Sequence, residues 1–532
     1  MNPLGRLLPR ETGRGRAARR LAAGLSLIPD ETRTRDLARY ARQVEPGLFA
    51  PPLTVAPDPG EPWFSLVIPC FNTADRYLEP LIDCLLAQSF GAWEAVLADA
   101  STEPERRAAL AAASRRDPRL IHLELTDNGG ISANSNAALA VARGRHVVFV
   151  DHDDLLSPQA LNELASRIAA DPETDILYSD EDLVSDDGRT RRSPFFKPAW
   201  SPEMFLEVNY TNHLSAIRRH LVEAVGGLRP EFDGAQDYDL LLRLHSLPGD
   251  RLAAVNQGRR QLKVAHVPKI LYHWRQTRTS TARRFAAKPY ALEAGRRALT
   301  EHLERLGLAT AGVEGVTGRP GWYNPRPRLS GLAQVVVLPP ETSAKPLDDD
   351  PAEAIRRHTD CQFVQPEFIA LPHRRALADW RPAAEAVAVA LVRGDQRPAD
   401  PHWLDELAGV LALPGVALVG PLLTRADGRV VSAGLLRHDG QLVSPGRGRP
   451  HTGGTAMGPV DTVRDVDALS AAVVVTRPDD LGLVGRWLTE PPSDGRRAVM
   501  WGHQRFVQRP LPAADGWLNP NFDCFGRHPG RF

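Results

Sequence analysis

His146-Val147-Val148-Phe149-Val150-Asp151-His152-Asp153-Asp154 is the stretch from which the fold can be read. Its first half is a run of β-branched and aromatic residues, the pattern of a strand buried on both faces, and it stops abruptly at three carboxylates. Strand side chains alternate, so Asp151 and Asp153 are expected on one side just past the strand's carboxyl end. Open α/β sheets bind ligands at that edge. Two hard oxygen ligands with Asp154 beside them suit Mg²⁺ or Mn²⁺ shared with phosphates. The alternative is an acidic turn before the helix at Ser157-Pro158.

Outward from this stretch the pattern is regular. Strand Ser65 to Pro69 precedes a helix with apolar Leu78, Leu81, Ile82, Leu85 and Leu86. Strand Glu94 to Ala98, a helix from Pro104 to Arg115, strand Leu120 to Leu125 and a helix from Ser132 to Arg143, ended by Gly144, follow. Strands alternating with helices predict βαβ units, hence an α/β fold with a mostly parallel, doubly wound sheet. The loops Pro69-Cys70-Phe71-Asn72, Asp99-Ala100-Ser101, Asn128-Gly129-Gly130 and Asp151-His152-Asp153 should then meet in one crevice. Asn128-Gly129-Gly130 leads into a helix amino end, where backbone amides and the helix dipole favour a phosphate. It is not GxGxxG, so a dinucleotide fold is not indicated. Asp99 can accept from a base imide or a ribose hydroxyl, or cap an Asx turn.

The chain of 532 residues balances 65 basic against 65 acidic side chains, so no global field favours nucleic acid or an anionic membrane. Cys70, Cys84, Cys361 and Cys524 form no CxxC pair, which suits reduced thiols and a cytoplasmic location. No apolar run reaches membrane-spanning length. The Arg-rich start, residues 1–63, closes in a Pro-rich linker. Arg16 to Leu27 reads either as a basic amphipathic helix making peripheral membrane contact or as a solvated extension.

The runs SLVIPCFN, LADAST, NGGISANSNAAL, VVFVDHDDLLSP, ILYSDED, SPFFKPAWSP, GGLRPEFDGAQDYDLLLRL and LYHWRQTRTST stand in order between residues 64 and about 300. They resemble glycosyltransferase family two, inverting sugar transferases of the GT-A fold, and more closely its bacterial members that build O-antigen and other surface polysaccharides. The family usually has two adjacent aspartates where this chain has only Asp99. The resemblance implies a donor linked to UDP, GDP or dTDP, and a glycan or lipid-linked glycan acceptor. It puts Pro69, Phe71, Asn72, Asp99, Asn128, Gly129, Gly130, Asn134, Asp151 and Asp153 on the donor. It also implies Asp151, Asp153 and His273 on the metal, and Asp180, Glu181 and Asp239 on the acceptor side, with Asp239 the alternative base. Asp237 is the expected general base. It falls in the first turn of a helix, where the macrodipole is expected to lower its pKa. Two rival readings are a nucleotidyltransferase, which would need a Gly-rich basic loop after the first strand, and a glycan-binding scaffold without catalysis.

After a Gly/Pro-rich linker at 311–331 the pattern restarts. LAQVVVLPP resembles the first strand, VALVRGDQRPADPHWLDEL resembles VVFVDHDDLLSPQALNEL, and PGVALVGPLLTRADGR parallels PETDILYSDEDLVSDDGR. Ala468-Leu469-Ser470-Ala471 parallels His213-Leu214-Ser215-Ala216. An internal repeat follows: a catalytic domain at 64–310, a degenerate GT-A-like domain at 332–500 and a tail at 501–532. Where Asp151-His152-Asp153 stood, the second copy has Arg393-Gly394-Asp395, and a cation in the first position opposes metal binding.

Overall fold

The apolar runs around the opening stretch form adjacent strands in the computed structural model, which describes residues 37, 41, 45–53, 62–276, 289–339, 350–372, 376–434 and shorter stretches as far as 508. Arg16 to Leu27, Ala468, Ala471 and the tail beyond Gln508 lie outside the described residues. Strands β1 (Phe64–Cys70), β2 (Trp93–Asp99), β3 (Leu120–Glu124) and β4 (His146–Phe149) pair in parallel in the order β3-β2-β1-β4. Helices α1 (Asp75–Leu86), α2 (Pro104–Ser114) and α3 (Ile131–Val141) connect them. The helical spacing of α1 holds: Leu78, Leu81, Ile82 and Leu85 are buried on one face. Gly144 does not end α3, which stops at Val141. A Cβ there would lie 2.4 Å from the Ser65 nitrogen, so Gly144 lets the chain pass against β1.

The other half of the sheet is mixed. The chain continues through β5 (Leu155–Leu156), α4 (Ala160–Ala170), β6 (Ile176–Ser185), β7 (Arg191–Phe195), α5 (Pro202–Glu207), β8 (Ser215–Arg218), α6 (Gln236–His245), β9 (Val264–Gln276) and α7 (Pro289–Arg305). β6 and β9 are parallel, but β8 runs antiparallel between β4 and β6, and β5 antiparallel to β9. The reason is the point of entry: β8 starts at the edge where β4 ends and can only run back.

The expected linker at 311–331 is structured. Thr310–Gly315 (β10) and Tyr323–Pro327 (β11) pair as a hairpin, with the Val313 and Tyr323 side chains buried. Beyond it lie β12 (Gly331–Leu338), β13 (Val364–Ala370), β14 (Ala386–Arg393), β15 (Gln396–Pro398), α8 (Trp403–Val410), β16 (Val416–Arg425) and β17 (Val430–Ser432). Two short hairpins follow, β18 (Leu436–His438) with β19 (Gln441–Val443) and β20 (Gly454–Thr455) with β21 (Gly458–Pro459). β22 (Arg464–Val466), β23 (Val473–Thr476) and β24 (Arg497–Gln508) complete the second sheet.

Its order, β13-β12-β14-β23-β16-β24-β15, repeats β2-β1-β4-β8-β6-β9-β5 strand for strand. Every pairing keeps its parallel or antiparallel sense. Among the described residues nothing corresponds to β3. The tail expected from Trp501 begins inside β24, because β24 takes the place of β9 within the sheet. One apolar cluster runs from Val67 and Val96 through Tyr238, Leu299 and Tyr323 to Trp403, Val475 and Phe506, so the two sheets share a core.

Ahead of β1, the segment at 45–53 lies along α4: the Ala50 and Leu53 N–H groups donate to Glu163 (2.5 Å) and Asn162 (2.7 Å). No helix among the described residues is long and apolar enough to cross a membrane.

Candidate active site

A cleft of about 330 Å³ opens at the carboxyl edge of β1 and β4. Pro69, Cys70 and Phe71 wall it from the first loop, Asn128, Gly130, Ile131 and Asn134 from the third, and Asp151, His152 and Asp153 from the fourth. Three of the four expected loops therefore meet.

The Asn128 loop is shaped by its own amides. Asn128 Oδ1 accepts from the Gly130 N–H (3.1 Å) and Asn134 Nδ2 (2.9 Å), and Asn134 Oδ1 accepts from the Gly129 N–H (3.2 Å). Gly130 has φ +90°, and a Cβ there would meet Asp233 Oδ2 at 2.6 Å. Asp233 corrects the phosphate expectation for this helix end. Its Oδ1 already accepts from Ser132 N–H and Oγ, so a carboxylate occupies the first turn of α3.

The second loop does not line the cleft. Asp99 is fully buried, its Oδ1 accepting from the Ser101 N–H (2.9 Å) and its Oδ2 lying 2.9 Å from His122 Nε2. Burial raises its pKa, but the bonds from Ser101 and His122 outweigh that and hold it below the usual carboxylate range. The Asx turn is thus formed. Asn72 stitches the first loop to the second: its Oδ1 accepts from the Thr102 and Glu103 N–H groups at 2.9 and 3.2 Å.

Beyond β4 the alternation rule fails, because the strand ends at Phe149 and Asp151 to Asp154 make a turn closed by the Asp154 N–H to the Asp151 carbonyl (3.2 Å). Asp154, not Asp153, therefore joins Asp151. With His213 they offer ligand atoms that all lie within 4.8 Å of one another. Two carboxylates and an imidazole fit a divalent transition ion. Asp154 Oδ2 accepts from the Tyr272 hydroxyl (2.5 Å) and Oδ1 from the Arg275 N–H (2.7 Å). Burial, then the neighbouring Asp153 and Asp151, push its carboxyl well above the ordinary range.

His213 was not singled out as a ligand from the sequence. Burial, helped by Lys197, pulls its pKa down to about 3, so the ring is neutral, the form that binds metals. Its backbone is clamped on both sides: its N–H donates to Glu181 Oε2 (2.5 Å), and its carbonyl accepts from Lys197 Nζ (2.7 Å). The available signal was the repeat itself, which keeps Leu-Ser-Ala but has Ala468 in this place.

His273 is not brought to this group. On β9 it alternates with Tyr272; Tyr272 meets Asp154, whereas His273 Nδ1 lies 2.6 Å from Asp182 Oδ1. The three acidic residues expected at the acceptor do not line the cleft either. Asp180 is buried against the Lys197 N–H (2.9 Å) and His266 (2.8 Å), Glu181 holds His213, and Asp239 is enclosed by Arg229 and Arg243.

Asp237 does sit in the first turn of α6. Its Oδ1 accepts from the Tyr238 N–H (2.8 Å) and its Oδ2 from the side chains of Asn212 and, at 3.4 Å, Asn209. Asn212 adjoins His213, so one loop serves Asp237 and the Asp151 group together. The macrodipole expectation is overturned: burial dominates and raises the Asp237 carboxyl.

In the second copy Arg393 forms a two-pronged ion pair with the buried Asp395, at 2.5 and 2.9 Å. The position that holds Asp151 in the first sheet is taken by a cation whose charge is matched within the chain.

Residues 65–226 match the family model described as Glycosyl transferase family 2. The chain is 35% identical to an uncharacterized Sinorhizobium fredii protein, y4gI, over 70% of this chain and 43% of that one. It is 31% identical to the O-antigen biosynthesis protein RfbC of Myxococcus xanthus, over 70% of this chain and 30% of that one. It thus spans less than half the length of either. Among solved structures, S. aureus TarS 1-349 in complex with UDP-GlcNAc is 20% identical, with 46% of this chain and 72% of that chain covered and a TM-score of 0.34.

Proposed function

We propose that the chain, which carries a glycosyl transferase family 2 domain at residues 65–226, is a metal-dependent inverting glycosyltransferase. It moves a sugar from a nucleoside diphosphate to a hydroxyl of a glycan or lipid-linked glycan during cell-envelope polysaccharide assembly. The O-antigen role named for the Myxococcus relative supports the polysaccharide acceptor. The observation that carries the reading is the convergence of Asp151, Asp154 and His213 beside a cleft walled by the Asn128 loop.

In this reading Asp151, Asp154 and His213 hold Mn²⁺ or Mg²⁺, and the ion when bound supplies positive charge to the leaving diphosphate. The donor lies in the cleft against Asn128, Gly130, Phe71 and Asp153. Asp237 takes the acceptor proton, and its raised carboxyl suits a base better than an ordinary aspartate. Attack from the face opposite the diphosphate inverts the anomeric centre without a covalent enzyme intermediate.

Calorimetric titration of UDP, GDP and dTDP, with and without Mn²⁺, tests this on the unmodified protein and on Asp151→Asn. One nucleotide should bind only with the metal, and the variant should lose that binding. No binding of any nucleotide under either condition refutes the reading.

A further inference from the structure

Helix α5 carries two glutamates one turn apart, Glu203 and Glu207, separated by the apolar Met204, Phe205 and Leu206. Both are buried, at 2% and 0% exposure. Like charges one turn apart repel, and a buried carboxylate without a cation is strongly unfavourable. Arg497 of β24 in the second sheet meets Glu203, and His503 of the same strand lies beside Glu207. Arg497 Nη2 lies 2.5 Å and Nε 3.1 Å from Glu203 Oε1, and His503 Nε2 lies 3.1 Å from Glu207 Oε1.

The other side of α5 is tied to the candidate active site. The Ser201 N–H that starts the helix donates to the Tyr210 hydroxyl (2.7 Å), which donates back to the Ser201 carbonyl (3.1 Å). Tyr210 stands in the loop at 209–214, whose Asn209 and Asn212 bond Asp237 and whose His213 faces Asp151 and Asp154. Tyr238, next to Asp237, donates its hydroxyl to the Phe205 carbonyl of α5 at 2.5 Å. A shift of α5 therefore reaches Asp237 from two directions.

We propose that the second sheet, which has lost the acidic motif, sets the position of the 209–214 loop through α5, making Glu203, Glu207, Arg497 and His503 positioning residues for the chemistry at His213 and Asp237. The assignment of that chemistry rests on the function proposed above; the mechanical coupling does not.

Hydrogen–deuterium exchange of the full-length protein tests the coupling. In Arg497→Met, peptides covering 208–214 should exchange at least about ten-fold faster, while those covering 64–70 and 131–141 keep their wild-type rates. Arg497→Lys should restore part of the protection. Glu203→Gln breaks the same pair without leaving a buried charge, so it gives the answer if Arg497→Met does not fold. Calorimetric Mn²⁺ affinity should fall in the same variants, since His213 moves with the loop. Unchanged exchange at 208–214, or equal acceleration throughout both sheets, overturns the proposal. Exchange needs no turnover, so failure of the wild type to bind nucleotides would refute the transferase reading and leave this result standing.

Discussion

Asp233 caps a helix to which it does not belong: one carboxylate oxygen accepts from both the backbone N–H and the hydroxyl of Ser132, at 3.3 and 2.5 Å, across 101 residues of sequence. The loop before α6, which carries Asp237, is thereby fastened to the loop that walls the cleft.

Asp233→Ala should cost about 1 kcal/mol, the usual value of a helix amino-terminal cap. In a chain of 532 residues that unfolds as one unit this lowers Tm by only about 1 °C. Removing the carboxylate also leaves the first turn of α3 free for a phosphate, so Mn²⁺-dependent nucleotide affinity should rise by about two- to five-fold. Calorimetric scanning and titration read the two effects, and unchanged or weaker nucleotide binding would count against a competing carboxylate.

His213→Ala and His273→Ala should differ. The first removes a proposed ligand and should weaken Mn²⁺ binding by about ten- to a hundred-fold. The second cuts a bond to Asp182 outside the Asp151 group and should leave Mn²⁺ binding near wild type. The reverse ranking would return the metal to the position expected from the sequence.

Asp237→Asn should lower kcat by about 10²- to 10⁴-fold, the usual worth of a general base. Nucleotide affinity should hold, because Asp237 bonds Asn209 and Asn212 and does not line the cleft. A loss of affinity matching the loss of rate would make it a binding residue.

Arg393→Met leaves Asp395 buried without its ion pair and should destabilise the protein by about 3–5 kcal/mol in a denaturant titration. Metal-dependent nucleotide affinity of the folded variant should be unchanged. Altered affinity would mean that the second copy binds the donor.

Acid should weaken the fold before carboxylates of ordinary pKa titrate. Burial lowers the pKa of His146 and His302 to about 4 and of His245 to about 3. The unfolded chain therefore takes up protons below its ordinary value of about 6.5 while the folded chain resists. The stability these rings contribute is full above pH 6.5 and is lost progressively as pH falls towards about 4, at up to about 1.4 kcal/mol per ring per pH unit. The denaturation midpoint followed against pH should fall across that window, and His146→Gln should shallow the slope.

The parallel half of the first sheet was readable from periodicity, with strand ends within a residue or two, because βαβ units are built from contacts close in sequence. The repeat was readable too, and the second sheet bears it out strand for strand. What escaped depends on distant partners. The alternation argument for Asp151 and Asp153 assumed a strand that in fact stops at Phe149. His213 reaches the site only because β8 inserts antiparallel beside β4, a placement no local pattern announces. The direction of the Asp237 shift was misjudged because burial in the folded chain outweighs the hydrogen bonds of its own helix turn and of Asn212, which pull the other way.

The continuous core bears on the history of the molecule. A second copy of a fold is ordinarily free to be trimmed or lost. Here Trp403, Val475 and Phe506 share one apolar cluster with Val67 and Val96, and Arg497 answers a buried glutamate of the first copy. Substitution at the second copy's sheet edge would leave that core intact, but deletion of its strands would strip the first copy of part of its interior. Descendants of this chain are therefore expected to vary freely in the second copy's loops while retaining its sheet.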